Sequence, residues 1–238
     1  MLTPGNRKLG QGRLVWGFGL PALATCPGRS ATCAAHCYAL RLERFRPSVA
    51  RRYRANLALS RRADFADRVD RFVDRRGVRL GRVHTSGDFY SAAYARKWLA
   101  VFRRRPGTRF YYYTRSWRVP AVRPVLAAMA RLPNVRAWYS CDRDTGAPAR
   151  VRRGVRLAWL MAEPGDLPPR ADLVFRIRRL RGAVQKRVDC RDGPPALVCP
   201  VENGATGHRT DCGRCGLCWR GPPTMGPGRI PLPLADQS

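Results

Sequence analysis

No run of apolar residues in this chain approaches the roughly 20 that a membrane-spanning helix needs. The opening MLTPGNRKLGQGR also has none of the apolar stretch of a secretory signal. No membrane partner is therefore expected, and a cytoplasmic location is. Lysine is almost missing, present only at Lys8, Lys97 and Lys186, and 16 acidic residues face 46 basic ones, for a net charge of +30. The shortage of lysine carries no function, because a GC-rich coding sequence favours arginine. The shortage of acid has a consequence. The basic residues spread from Arg41 to Arg220, with runs at Arg51-Arg52, Arg103-Arg105, Arg150-Arg156 and Arg176-Arg187, and are not gathered in a tail. A field of that size attracts polyanions, so nucleic acid, a nucleotide or another phosphate-bearing substrate is an expected partner. The alternative is a surface whose charge only sets solubility.

The chain also lacks an internal repeat, and its 238 residues, 45% hydrophobic, suffice for one sizeable core or for one domain with an appendage. Apolar runs at 13–20, 82–86, 109–114, 135–140, 156–162 and 173–177 read as strands, and 49–76, 90–104 and 121–132 read as helices. About six β-α steps at short spacing predict an α/β fold with a parallel sheet, either doubly wound or a partial (β/α) barrel of about six parallel strands. The partial barrel is the reading adopted, over residues 1–187. Beyond Arg187 glycine, proline and cysteine dominate, which predicts a metal-stapled C-terminal appendage over 188–238.

Seven of the nine cysteines fall into two groups, Cys26, Cys33 and Cys37 near the start and Cys199, Cys212, Cys215 and Cys218 near the end. In a reducing compartment, clustered and odd-numbered thiols point to metal or redox chemistry and not to disulfides. Three thiolates leave a metal centre open and four close it, so the groups read as two sites with different tasks. Tandem CxxCxxC spacing at 212–218 favours an iron-sulfur centre over zinc, with Pro200 and Trp219 placed to shield it; His208 is an alternative ligand to Cys199. For the first group, zinc held with His36 or His84 is the competing reading. Of the two remaining thiols, Cys141 is the catalytic candidate because it ends a strand, and Cys190 reads as a small hydrophobe.

Ligands of parallel α/β folds gather at the C-terminal ends of the strands. Those ends carry Thr85-Ser86-Gly87-Asp88, Tyr113-Thr114-Arg115-Ser116-Trp117 and Ser140-Cys141-Asp142, and the first cysteine loop follows the first strand. All are expected on one rim, although Ser, Gly and Asp also serve as ordinary helix caps there. Tyr111, Tyr112, Tyr113, Trp117, Trp138 and Tyr139 concentrate aromatics in the same region. Core packing is their default role, but Tyr113 and Trp117 could stack an unpaired base while Arg115 holds phosphate.

The segments TCPGRSATCAAHCYA, HTSGDFYSAAYARKW, FYYYTRSW, WYSCD, CPVENG and CGRCGLCW resemble, in order and spacing, the gene product 88 family of largely phage-borne proteins, which has no assigned biochemical role. The layout is also similar to a divergent radical S-adenosylmethionine (SAM) enzyme. That resemblance implies a [4Fe-4S] cluster on Cys26, Cys33 and Cys37, with one iron left for the methionine end of SAM. It puts Ser86, Gly87 and Asp88 in the place of the Gly-Gly-Glu motif that receives the SAM amino group, and Ser140 and Asp142 near the ribose or the methionine end. It also implies a reductant as partner. The chain departs from the usual pattern in its Cx6Cx3C spacing, in an aspartate for the glutamate, and in Tyr38 following the last cysteine. A non-catalytic metal-stabilised nucleic-acid-binding protein and a redox sensor are the other expected classes.

Overall fold

Short β-branched and aromatic runs separated by amphipathic stretches build a layered α/β molecule. The computed structural model describes residues 1–9, 14–181, 185–203 and 210–220. Its strands are β1 (Thr3–Pro4), β2 (Val15–Phe18), β3 (Leu80–Val83), β4 (Arg109–Thr114), β5 (Val135–Cys141), β6 (Val155–Met161), β7 (Leu173–Arg176), β8 (Arg187–Cys190) and β9 (Gly193–Val198). They form one nine-stranded sheet in the order β1-β2-β3-β4-β5-β6-β7-β9-β8. Neighbours from β2 to β7 run parallel in chain order and β9 joins β7 parallel. The edges are antiparallel, β1 on β2 and β8 on β9.

The helices are α1 (Ala31–Ala35), α2 (Tyr38–Phe45), α3 (Pro47–Arg61), α4 (Phe65–Arg75), α5 (Ala92–Arg104), α6 (Arg123–Ala130), α7 (Pro200–Asn203) and α8 (Cys212–Cys215). The helical stretch expected over 49–76 is two helices, because Arg62 takes an extended backbone (ψ 149°) that ends α3. Asp64, in the break, accepts from Arg62 and Arg68. Upstream, Arg46, the residue before Pro47, leaves the helical region (φ −134°, ψ 85°), which separates α2 from α3.

Side chains alternate across the strands, and the two faces have different covers. Phe18, Val83, Phe110, Tyr112, Ala137, Tyr139 and Trp159 pack with Phe65 and Val69 of α4, Trp98 and Phe102 of α5, and Leu126 and Met129 of α6. The intervening residues Val15, Leu80 and Tyr111 meet Leu9, Cys212 and Trp219, while Trp138, Ala158 and Leu173 meet Cys199 and Val201. The opposite face is thus covered by the cysteine-bearing segment itself. Residues 188–198, placed in the appendage by sequence, supply nearly all of two strands of the same sheet, β8 starting one residue earlier at Arg187. Pro194 and Pro195 hid them, because a proline cannot donate to a ladder; they lie in the part of β9 that extends past β7. Among the described residues, no helix is long and apolar enough to cross a membrane.

Candidate functional site

The loop carrying Cys26, Cys33 and Cys37 follows β2 and is seated on the C-terminal ends of β3, β4 and β5. Ser30 begins α1 as its N-cap, its hydroxyl accepting from Cys33 N at 3.0 Å. The same hydroxyl donates to Asp142 Oδ2 at 2.5 Å, and Asp144 accepts from Thr32 N at 2.7 Å. Arg29 reaches back to the carbonyls of Leu23 and Cys26, and Arg118 donates to Gly28 O. Gly28 lies so close to β4's end that a methyl there would stand 2.1 Å from Arg115 O. Cys37 caps α2, its Sγ accepting from Leu40 N at 3.4 Å. The rim expected from sequence is therefore assembled, and the loop is tied to it by side chains 112 residues away.

Asp88 is the centre of the rim and is 4% exposed. Its Oδ1 accepts from Thr114 Oγ1 at 2.6 Å and Phe89 N at 2.7 Å, and its Oδ2 from Arg115 N at 2.7 Å and Ser116 N at 3.2 Å. Four donors occupy both oxygens, leaving no free lone pair for a ligand ammonium group. Burial pushes the Asp88 carboxyl pKa up, and those donors oppose the shift. Gly87 is in the left-handed region (φ +73°) and packs on Thr25 and Leu20, where any side chain would collide. Ser86 is buried, with its hydroxyl 3.3 Å from Glu43 Oε1.

Asp142 is wholly buried beside Arg115, whose Nη1 stands 2.7 Å from Asp142 Oδ2 but out of line for a hydrogen bond. Asp142 Oδ1 accepts from Asp144 N and Thr145 N. Arg115 also faces Cys33: burial raises that thiol's pKa and the guanidinium opposes the rise. Cys26 is pushed up to about 12 by burial, with the Asp88 charge and the other two thiols adding to it. The three thiols are close enough to act on one another. Yet no three His, Cys, Asp or Glu side chains among the described residues converge where a single metal ion could sit.

The four later cysteines lie on the opposite face of the sheet. All of them, with Leu173, Pro200, Val201, Gly216 and Leu217, line one cavity of about 10 Å³. Asp211 caps α8 and Gly216 ends it in the left-handed region (φ +67°), which turns the chain so that Cys218 faces the sheet. Tyr113 Oη donates to Cys218 Sγ at 3.0 Å, and Trp138 Nε1 and Arg156 Nη1 donate to the carbonyls of Cys218 and Leu217. Burial raises Cys199 and Cys215 and pushes Cys212 up to about 11 and Cys218 to about 12. Arg82 and Lys8 oppose the rise at Cys212 and Cys199. Arg82 lies over the Tyr113 ring, 5.8 Å from its centroid.

Several residues singled out by sequence have other surroundings. Cys141 points into the helix-side core, 1% exposed, and burial pushes it up to about 12, so it is a neutral core thiol and not a poised nucleophile. Cys190 is half-buried against the same core. Tyr113 and Trp117 do not share a surface. Tyr113 stacks on Trp138, while Trp117 stacks on Tyr139 and donates to Ser140 O; Arg115 between them is held by Asp142. His84 is buried among Phe18, Phe89 and Tyr94 with Nε2 2.8 Å from Tyr94 Oη, and burial lowers its pKa to about 3. His36 is exposed beside Cys37, and His208 lies outside the described residues. Sequence reasoning missed the clamp role of Asp144 and Ser30 and the half-burial of Arg82. Ser30, three residues before Cys33, carries a legible N-cap signal; a lone arginine inside an apolar strand carries none.

Comparison with known proteins places the chain in one family. The sequence model of the family described as Gene product 88 matches residues 1–221. The chain is 31% identical over 214 residues to the Gene 88 protein of Mycobacterium phage L5, covering 83% of this chain and 79% of that one. It is 29% identical over 215 residues to the Gene 88 protein of Mycobacterium phage D29, with the same coverage of 83% and 79%. No solved structure matches.

Proposed function

From the premise that this chain belongs to the gene product 88 family, we propose that it is an iron-sulfur protein whose Cys26, Cys33 and Cys37 hold a [4Fe-4S] cluster for radical SAM-like chemistry on an anionic substrate. The observation that carries this reading is the seating of the three-thiol loop on the strand-end rim through Asp142, Asp144 and Arg118. A rim of parallel strands is where α/β enzymes hold their reacting groups. The sequential order of β2 to β7 supports the partial barrel that such a site needs. Cys26, Cys33 and Cys37 would be the residues that hold such a cluster, and the three thiols are near enough to act on one another without converging on the single point that one metal ion would require.

A cluster bound there would supply one electron and an open iron to a sulfonium ligand. Arg115, beside Cys33, offsets thiolate charge, and Asp142 fixes the guanidinium in place. Asp88 shapes the rim and is not the ammonium acceptor. Glu43 Oε1, which accepts from Ala22 N and lies near the Ser86 hydroxyl, is the carboxylate assigned to that role in this reading. The four later cysteines serve a closed centre that fastens the chain over the sheet's second face, with Arg82 and Lys8 balancing its negative charge.

Anaerobic purification with iron, sulfide and zinc analysis tests the proposal. The expected result is brown protein with iron and acid-labile sulfide, one centre lost in Cys33→Ser and the other in Cys215→Ser, and a spectral change on adding SAM that Cys33→Ser abolishes. Stoichiometric zinc in protein made with ample iron would overturn it. Iron and sulfide without any SAM response would favour the second reading, a metal-stabilised nucleic-acid-binding protein, which the net charge of +30 supports.

A further inference from the structure

Residues 1–63 hold one acid, Glu43, while residues 41–54 hold six arginines, Arg41, Arg44, Arg46, Arg51, Arg52 and Arg54. All six are exposed on α2, α3 and the residue that joins them, and none is in an ion pair among the described residues. Glu43 faces inward, where its Oε1 accepts from Ala22 N. The side of α2 turned away from Glu43 and the buried Ala39 carries Tyr38, Leu42 and Phe45 in one stripe, at i, i+4 and i+7. They are 61%, 38% and 73% exposed, and among the described residues the only other exposed large apolar side chains are Leu14 and Leu167. Tyr38 Oη donates to Thr85 O at 2.8 Å, so the ring is tethered at its tip to the strand-end rim while most of it stays open. Arg41 lies over the Phe45 ring, 5.8 Å from its centroid.

We propose that α2 is the docking face for a single-stranded nucleic acid, with Tyr38 and Phe45 stacking unpaired bases and the flanking arginines holding phosphates. Stacking on aromatic rings needs an unpaired strand, and arginines beside the rings supply both phosphate contacts and cation–π contact. The two rings lie seven residues apart, about 10 Å along the helix axis, so each takes a base of its own. Tyr38, already tethered, gives up little freedom on binding, which lowers the cost of association. Charge decides among the occupants of such a stripe. A second copy of the chain would set arginine against arginine. A helix that lies on a membrane parts its cations from its apolar face, whereas here Arg41 sits within the stripe, over Phe45. Because α2 starts at its N-cap Cys37 and Tyr38 is tied to Thr85, a strand along this face passes the mouth of the three-thiol rim. Such a strand is the anionic substrate of the reading proposed above; its role as substrate rests on that reading, whereas its binding does not.

Fluorescence anisotropy of a labelled oligothymidylate of about ten nucleotides, within the site sizes of single-strand grooves, tests this on the full chain. The expected result is saturable binding, tighter than for a duplex of the same length. It should be at least about tenfold weaker in Tyr38→Leu/Phe45→Leu with the salt slope nearly unchanged, because leucine keeps apolar bulk but offers no ring to stack. Arg41→Gln/Arg44→Gln should lower the slope of log affinity against log salt by about 1–2, as two lost phosphate contacts imply. The control Arg71→Gln/Arg75→Gln, which removes the same charge from α4, should bind nearly as the wild type does. A measurement that needs no variant is photocrosslinking of an iodouracil-bearing strand, expected at Tyr38 or Phe45. Equal affinity for the duplex, equal weakening in the control, full affinity in the leucine variant, or binding to phosphatidylserine vesicles that the single strand does not displace would each overturn the proposal. Iron and sulfide counted in the same preparations keep the two readings apart: strand binding without a cluster sinks the cluster alone, and a cluster without strand binding sinks the docking face alone.

Discussion

Asp88→Asn separates a structural carboxylate from a ligand-binding one. The substitution keeps size and shape but leaves one oxygen, so its amide nitrogen must face either Arg115 N and Ser116 N or Thr114 Oγ1 and Phe89 N. Either way two hydrogen bonds to a charged acceptor are lost, at roughly 1.5–3 kcal/mol each, or about 3–6 kcal/mol in total. Relief of a buried charge offsets part of this, since burial raises the Asp88 pKa. A net destabilisation of about 3 kcal/mol should lower the melting temperature by roughly 6–12 °C for a chain of this size. Thermal unfolding followed by tryptophan fluorescence reads it directly. A variant that melts within about 2 °C of wild type while losing SAM binding would refute the clamp and return Asp88 to the ligand site.

Two further outcomes follow from the geometry. His84 is buried and neutral with its pKa lowered to about 3, whereas in the unfolded chain it titrates near 6.5. The unfolded state therefore binds more protons between those values, so stability is full above the unfolded pKa and is lost as pH falls. The loss is about 2 kcal/mol by pH 5. Urea denaturation at several pH values should show that slope shrink in His84→Gln, and an unchanged slope would contradict a neutral buried imidazole. Gly28→Ala should destabilise by about 1–3 kcal/mol through overpacking, because its methyl meets the Arg115 backbone, whereas Gly107→Ala, in open space, should change little. Equal effects in the two variants would mean that the cysteine loop is not seated as described.

The strand pattern was largely legible because this sheet is buried on both faces. The run at 109–114 is β4 to the residue, the expected 135–140 falls one residue short of β5 at its end, and the expected 156–162 is displaced by one residue at both ends of β6. Burial on both sides has a cost for reading sites, however. Tyr113 and Trp117 look like a stacking platform in sequence, but β4 ends between them and they have different neighbours. The polar clusters at the strand ends were correctly gathered on one rim. Their division of labour was not legible, because whether a carboxylate faces solvent or four N–H and O–H donors depends on partners up to 112 residues distant.

During synthesis the strands from β1 to β9 leave the ribosome before the segment bearing Cys199, Cys212, Cys215 and Cys218. Until that segment arrives, Tyr111, Trp138, Leu173 and their neighbours are a bare aromatic and aliphatic wall. A nascent chain stopped near residue 199 is therefore a nine-stranded sheet with one sticky face uncovered, and the segment bearing the last cysteines covers it in one vectorial step. If those cysteines hold the proposed closed centre, supply of its metal would then govern yield more than activity, and scarcity would show as aggregated chains and not as slow ones.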